Sequence, residues 1–168
     1  MRVRYVAVLI LISSIAMAIG VNVWADLDMF TFDATPSSDV SMYGIQMDLV
    51  FESPGNVRMG FGVEYHFVSA DASFLGVNFD QSVGIYAVGV YRSELTSSLD
   101  LLVISRGGIS LPNFDLSTMG YFTEVSVSMV YPLGEKWFVS FGGSLKSYSF
   151  GEPYVSFIPV KLGIGGDL

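Results

Sequence analysis

The chain has 168 residues, enough for one domain of ordinary size. Half of it (51%) is hydrophobic, and charged residues make up 14%, below the roughly 25% usual in soluble domains. There is no cysteine, which excludes a disulfide framework, a thiolate metal site and an N-terminal lipid anchor on cysteine. Eight basic residues against 16 acidic ones leave no basic footprint for nucleic acid.

At the N-terminus, Arg2 and Arg4 precede an apolar core from Tyr5 to Ile12. Ser13, Ser14 and the small-residue triplet Ala16-Met17-Ala18 follow. A basic segment, a short apolar segment and an A-x-A site predict a cleavable signal peptide over residues 1–18 and a mature domain over 19–168. Val23-Trp24-Ala25 is a second cleavage site, and an uncleaved anchor helix from Tyr5 to Trp24 is the alternative. Without Arg2 and Arg4, the mature chain carries a net charge of about −10.

Beyond residue 19 no apolar run approaches the ~20 residues of a spanning helix. Hydrophobicity alternates instead, and alternate side chains of a strand point to opposite faces. The first strand is read as Val21–Phe32, followed by a loop to Asp39 that holds Pro36. The second is Val40–Phe51, with Tyr43, Ile45, Met47, Leu49 and Phe51 on one face and Gly44, Gln46 and Asp48 on the other. Glu52–Asn56 is a turn built on Pro54-Gly55.

The third strand, Val57–Ser69, is the clearest. Val57, Met59, Phe61, Val63, Tyr65 and Phe67 make one wholly apolar face. Arg58, Gly60, Gly62, Glu64 and His66 make a face that is small as well as charged. A broad apolar side against a narrow polar one predicts lipid outside and a polar lumen inside.

A 12-residue connection, Ala70–Gln81, leads to the fourth strand, Ser82–Tyr91, where Val88 and Val90 blur the alternation. Arg92–Thr96 reads as a turn. The fifth strand is Ser97–Ser105, with Leu102 and Ile104 as misfits, and Arg106–Met119 reads as a 14-residue loop holding Gly107, Gly108 and Pro112. The sixth strand, Gly120–Tyr131, alternates cleanly, with Glu124 inward. Pro132–Lys136 reads as a five-residue turn that pairs Tyr131 with Trp137. The seventh strand is Trp137–Tyr148, with Lys146 inward, and the eighth is Tyr154–Gly165, with Lys161 inward.

Eight strands, two long connections on one side and the proline–glycine turns on the other match the asymmetry of outer-membrane barrels. Aromatic residues sort toward both strand ends, as amphipathic rings do at two membrane interfaces. The expected fold class is therefore all-β: an eight-stranded antiparallel up-and-down transmembrane β-barrel. The pattern resembles the small eight-stranded outer-membrane proteins, the group that includes the OmpA transmembrane domain and OmpX. That resemblance implies a location in the outer membrane of a diderm bacterium. It also implies outer-membrane lipid and the barrel insertion machinery as partners. The chain departs from the group in ending Gly165-Gly166-Asp167-Leu168, where an aromatic residue is usual.

The candidate site is a charge network in the lumen: Asp26, Asp28, Asp48, Arg58, Glu64, His66, Glu124, Lys146 and Lys161. An eight-stranded lumen is just wide enough for side chains to fill, so these charges should pair across it and plug it. A single histidine excludes a histidine metal cage, and no cofactor is expected. Phe74, Leu75, Phe79, Leu111 and Phe114 make the outer connections apolar, a candidate contact surface for an extracellular ligand or protein. The expected function is a small barrel with a closed lumen and a structural or binding role, without catalysis. Two alternatives stand beside it. One is a secreted lipocalin-like barrel with Phe61, Tyr65, Val127 and Phe141 inside. The other is a lipid-modifying enzyme built around Glu64, His66 and Ser69 or Ser73.

Overall fold

The computed structural model describes residues 21–33, 41–51, 55–69, 80–150 and 154–167. The expected signal peptide, together with Phe74, Leu75 and Phe79, lies outside the described residues. Eight strands follow in chain order: β1 Val21–Asp33, β2 Ser41–Phe51, β3 Val57–Ser69, β4 Gln81–Thr96, β5 Leu99–Pro112, β6 Gly120–Leu133, β7 Trp137–Ser149 and β8 Tyr154–Asp167. Each pairs antiparallel with its sequence neighbours, and β8 pairs back with β1 to close the barrel. Only the backbone of β1 is described.

The two ends differ in the length of their connections. At one, the turn end, β4–β5 and β6–β7 are joined through 97–98 and 134–136. At the other, the loop end, lies the described connection 113–119.

Two strand boundaries differ from the sequence expectation by more than two residues. β4 continues through the expected turn to Thr96, and β5 continues seven residues past Ser105 to Pro112. Arg106 therefore lies inside β5, paired with Val88 and Glu124, and does not open a loop. The register of the β6–β7 hairpin also shifts. Leu133 pairs with Trp137 and Tyr131 with Val139, so Glu124 stands directly opposite Lys146. Pro132 and Leu133, expected in the turn, belong to β6. Val130 is the last β6 residue that pairs with β5, so no β5 carbonyl awaits the N–H that Pro132 lacks. The chain reverses at 134–136, where Gly134 takes φ 85°, a left-handed conformation open to glycine.

The alternation holds on every strand whose side chains are described. Phe61, Val63, Ile85, Val125, Val127, Phe141 and Ile164 project outward and are exposed. Val88 and Val90, which blurred the pattern in β4, are buried in the lumen with Leu102 and Ile104 of β5. Val50, Val130 and Phe138 join them, so the lumen has an apolar floor toward the turn end. Above this floor lies a charged layer, and beside it the rings of Tyr86, Phe122, Tyr148 and Phe157. Large and small side chains alternate from β3 to β6, in the row Gly62, Tyr86, Gly108 and Phe122. Tyr86 pairs with Gly62 on one side and Gly108 on the other. A Cβ on Gly62 would come within 2.4 Å of the Tyr86 ring, and one on Gly108 within 2.1 Å of the Ile85 carbonyl oxygen. Glycine on both flanks is what lets a full aromatic ring fit into so narrow a lumen.

Candidate functional site: the lumen charge network

Six strands send polar side chains to one point in the lumen. Asp48 and Gln46 come from β2, Glu64 from β3, Arg106 from β5, Glu124 from β6, Lys146 and Tyr148 from β7, and Lys161 from β8. All are buried. Each occupies an inward position of its strand's alternation, and neither lipid nor bulk water can compensate a charge there.

Glu124 is the hub. Its carboxylate lies 2.6 Å from Lys161 Nζ, 3.3 Å from the Arg106 guanidinium and 3.5 Å from Lys146 Nζ. Glu64 is the second centre. It accepts from Lys146 Nζ at 2.5 Å and from the Tyr148 hydroxyl at 3.0 Å. Arg106 grips Asp48 with two parallel bonds, from Nε at 3.1 Å and from its second terminal nitrogen at 2.5 Å. This bidentate geometry suits guanidinium and carboxylate better than any lysine pairing would. Gln46 ties the two glutamates together, donating to Glu64 at 3.0 Å and to Glu124 at 2.7 Å while its own oxygen accepts from Lys161.

Among the described side chains three carboxylates and three cations thus meet: Asp48, Glu64 and Glu124 against Arg106, Lys146 and Lys161. Two of these cations also lie over aromatic faces. Lys146 Nζ is 4.7 Å from the centroid of Phe122, and the Arg106 guanidinium is 5.8 Å from that of Tyr86. Chemically the arrangement is a cross-brace. Each carboxylate is engaged by a cation, and the apolar floor separates the layer from the turn end.

Of the residues expected in the network, Asp48, Glu64, Glu124, Lys146 and Lys161 come together. His66 lies beside them, with Nδ1 3.7 Å from Glu64 Oε1. Arg58 does not join them. It lines a separate pocket of about 380 Å³ at the turn end, with Asn56, Arg92, Glu94 and Asp100. There Arg92 Nε meets Asp100 at 2.6 Å, and the Arg92 guanidinium covers the Phe138 ring at 5.1 Å. The side chains of Asp26 and Asp28 lie outside the described residues. Their backbone registers put Asp26 opposite Gln46 and Gly163, and Asp28 opposite Gly44 and Lys161. Among the described residues no three metal-binding side chains cluster to hold an ion.

Arg106 is the principal residue that sequence reasoning missed. The signal was present: carried through the glycine pair, the alternation puts Arg106, Gly108 and Ser110 inward and Gly107, Ile109 and Leu111 outward. Gln46, inward in the alternation of β2, joins the network although it is uncharged.

Of the candidate loop contacts, Leu111 is the penultimate residue of β5 and partly buried. Phe114 is exposed in the β5–β6 connection, its ring stacked on Tyr65 at 6.3 Å. The next residue, Asp115, caps a short 3-10 turn, Leu116–Thr118. Its carboxylate accepts from the Ser117 backbone N–H and hydroxyl, which holds its pKa below the usual carboxylate value.

A closed antiparallel eight-stranded barrel with an apolar wall and a charged lumen has the fold of the small outer-membrane β-barrels, and its strands are transmembrane. Solved structures of that kind match it. Neisserial surface protein A aligns with a TM-score of 0.62 and 13% identity over 89% of this chain and 97% of that one. The N-terminal β-barrel domain of Pseudomonas aeruginosa OprF aligns with a TM-score of 0.52 and 13% identity over 87% of this chain and 95% of that one. No family model matches the sequence, and no curated protein matches it.

Proposed function

We propose that the protein is a resident of a diderm outer membrane that serves as a structural or binding element and conducts no solutes. The observation that carries this reading is the inversion of polarity between wall and lumen. Phe61, Val127 and Phe141 cover the outside, while Glu64, Glu124, Lys146 and Lys161 fill the inside. A lipocalin-like carrier needs the opposite arrangement, with apolar walls around a cavity. A lipid-modifying enzyme needs its acid and histidine open to the outer leaflet. Here Glu64 is engaged by Lys146, Tyr148 and Gln46 in a buried layer.

The lumen argues against conduction. A wide channel would have to displace both the apolar floor and the ion-pair layer, and eight strands leave little room beyond filling side chains. Binding roles then fall to the loop end. The test is fractionation followed by recording. The protein should extract with detergent from the outer-membrane fraction, shift on gels when heated, and give no porin-size steps in planar bilayers. Recovery in the soluble periplasm or medium would overturn the membrane assignment. Stable large steps would overturn the closed lumen.

A further inference from the structure

The connection between β5 and β6 is folded in an unusual way. Asn113 and Phe114 both take left-handed backbone conformations, at φ 49° and 60°. For a bulky side chain such as phenylalanine that conformation is an outlier, and outliers persist where the surroundings impose them. Here hydrogen bonds hold the loop to the barrel. The Asn113 backbone N–H donates to the Gln81 carbonyl at 2.7 Å. Its side-chain oxygen accepts from the backbone N–H groups of Asp80 and Gln81.

The result of this geometry is where Phe114 goes. It does not fold over the lumen. Its ring stacks on Tyr65, an outward residue of β3 whose hydroxyl donates to outward Gln81 at 2.7 Å. Phe67 packs edge-on against the same Tyr65 at 4.7 Å. The loop therefore turns outward and down, and its apolar side continues the lipid-facing wall. Leu116 follows at 76% exposure and Met119 at 45%.

Such a surface needs a backbone that can leave water. The N–H groups of Asn113, Phe114, Asp115 and Thr118 donate to carbonyls within the barrel and loop, and that of Ser117 donates to the Asp115 carboxylate. Five of the seven N–H groups of 113–119 are thus satisfied internally, which lowers the cost of bringing this backbone into a lipid interface. The Asp115 carboxylate fixes the depth, since it belongs among headgroups while its apolar neighbours belong beneath them.

We propose that the β5–β6 connection is a membrane anchor, with Phe114 and Leu116 seated among lipid acyl chains just under the headgroups of the loop-side leaflet. The occupant is lipid, because the patch is continuous with a wall that already faces lipid. This rests on the transmembrane reading of the barrel, and the test separates the two.

The chain has no cysteine, so a single introduced one labels cleanly. The full-length protein carrying Leu116→Cys would be labelled with a nitroxide and folded into vesicles of dioleoylphosphatidylcholine. Collision rates would be read against oxygen, which partitions into lipid, and against a nickel chelate, which stays in water. Phe61→Cys, on the wall, and Glu135→Cys, in a turn, are the references. The ratio of oxygen to nickel collisions at Leu116 should lie well above that at Glu135 and approach that at Phe61. A ratio equal to that at Glu135 puts the loop in water and overturns the anchor. Low rates with both reagents mean that protein covers the site, either this chain's other loops or a second copy, and that also overturns it. A water-like ratio at Phe61 removes the transmembrane reading itself. Should Leu116→Cys fail to give a heat-modifiable band, Met119→Cys on the same loop takes its place, with the same expected and refuting ratios.

Discussion

Arg106 gives the sharpest test of the lumen, because sequence and structure disagree about where it lies. The guanidinium is buried, holds Asp48 by two bonds and reaches Glu124 at 3.3 Å. Arg106→Met keeps much of the side-chain volume and removes the charge. Glu124 then retains Lys161 at 2.6 Å and Lys146 at 3.5 Å. Asp48 loses the cation that grips it, so the cost falls there. Leaving a buried partner uncompensated costs roughly 3–5 kcal/mol. Asp48→Asn should cost less, because Arg106 still has Glu124. With both changes the uncompensated charge is gone, and much of the loss should return. The coupling would then lie toward the upper end of the roughly 0.5–3 kcal/mol seen for residues in contact. The assay is urea unfolding from lipid vesicles, read by the gel shift on heating, in a double-mutant cycle. A neutral Arg106→Met would place that residue outside the lumen, in the loop where the glycine pair first suggested it belongs. Losses that simply add would mean that Arg106 and Asp48 do not meet.

Other predictions follow from the same architecture. Phe61→Arg puts a cation on the lipid face midway along β3 and should cost about 2–4 kcal/mol in the same unfolding assay; no loss would deny that this face meets lipid. Gly44→Ala would bring its Cβ to 2.0 Å from the His66 ring, which supplies its three nearest atoms, so His66→Ala should rescue it. Gly60→Ala would instead meet the Leu49 carbonyl oxygen at 1.9 Å, and trimming a side chain should not restore it; in both cases the yield of heat-modifiable protein is the readout. Asp115 has a lowered folded pKa, so its capping contribution is full above the ordinary aspartate pKa and is lost only as pH falls through the lower folded value. The Ser117 amide shift followed by NMR should therefore titrate below the usual aspartate range, and a midpoint at the ordinary value would refute the cap.

The outward face was legible in the sequence because lipid tolerates no compromise there. Val57 through Phe67 had to alternate, and β2, β3, β6 and β7 were placed to within two residues at each end. The lumen follows a looser rule, which is where legibility failed. Its charged layer needs polar inward residues, but its floor needs apolar ones. Along Leu101–Ile104 both faces of β5 are apolar, so the period of two disappears. Gly107-Gly108 then looked like a breaker, although one glycine stands open on the outer wall and the other gives way to Tyr86 and the neighbouring backbone. The β6–β7 register differs because Pro132-Leu133-Gly134 has the composition of a turn, whereas only 134–136 reverse the chain and Pro132, past the end of the β5 pairing, needs no donor on that side.

These failures share a cause that bears on function. The stretch that hid β5 is the stretch that builds the floor, with Leu102 and Ile104 packed in the lumen with Val88 and Val90 of β4. Had these positions been serine or glycine, the alternation would have been plain, and the lumen would have been wet down to the turn end. In the proposed closed barrel their being apolar seals the lumen below the charged layer and keeps water from the Arg106–Asp48 pair on that side. That seal makes the ion pairs expensive to break, and it is why the closed lumen and the large cost predicted for Arg106→Met stand or fall together. Opening the floor with Leu102→Ser and Val90→Ser should admit water and shrink the Arg106–Asp48 coupling in the same double-mutant cycle. If the coupling stays unchanged in that background, the floor does not set the environment of the pair and does not seal the lumen against conduction.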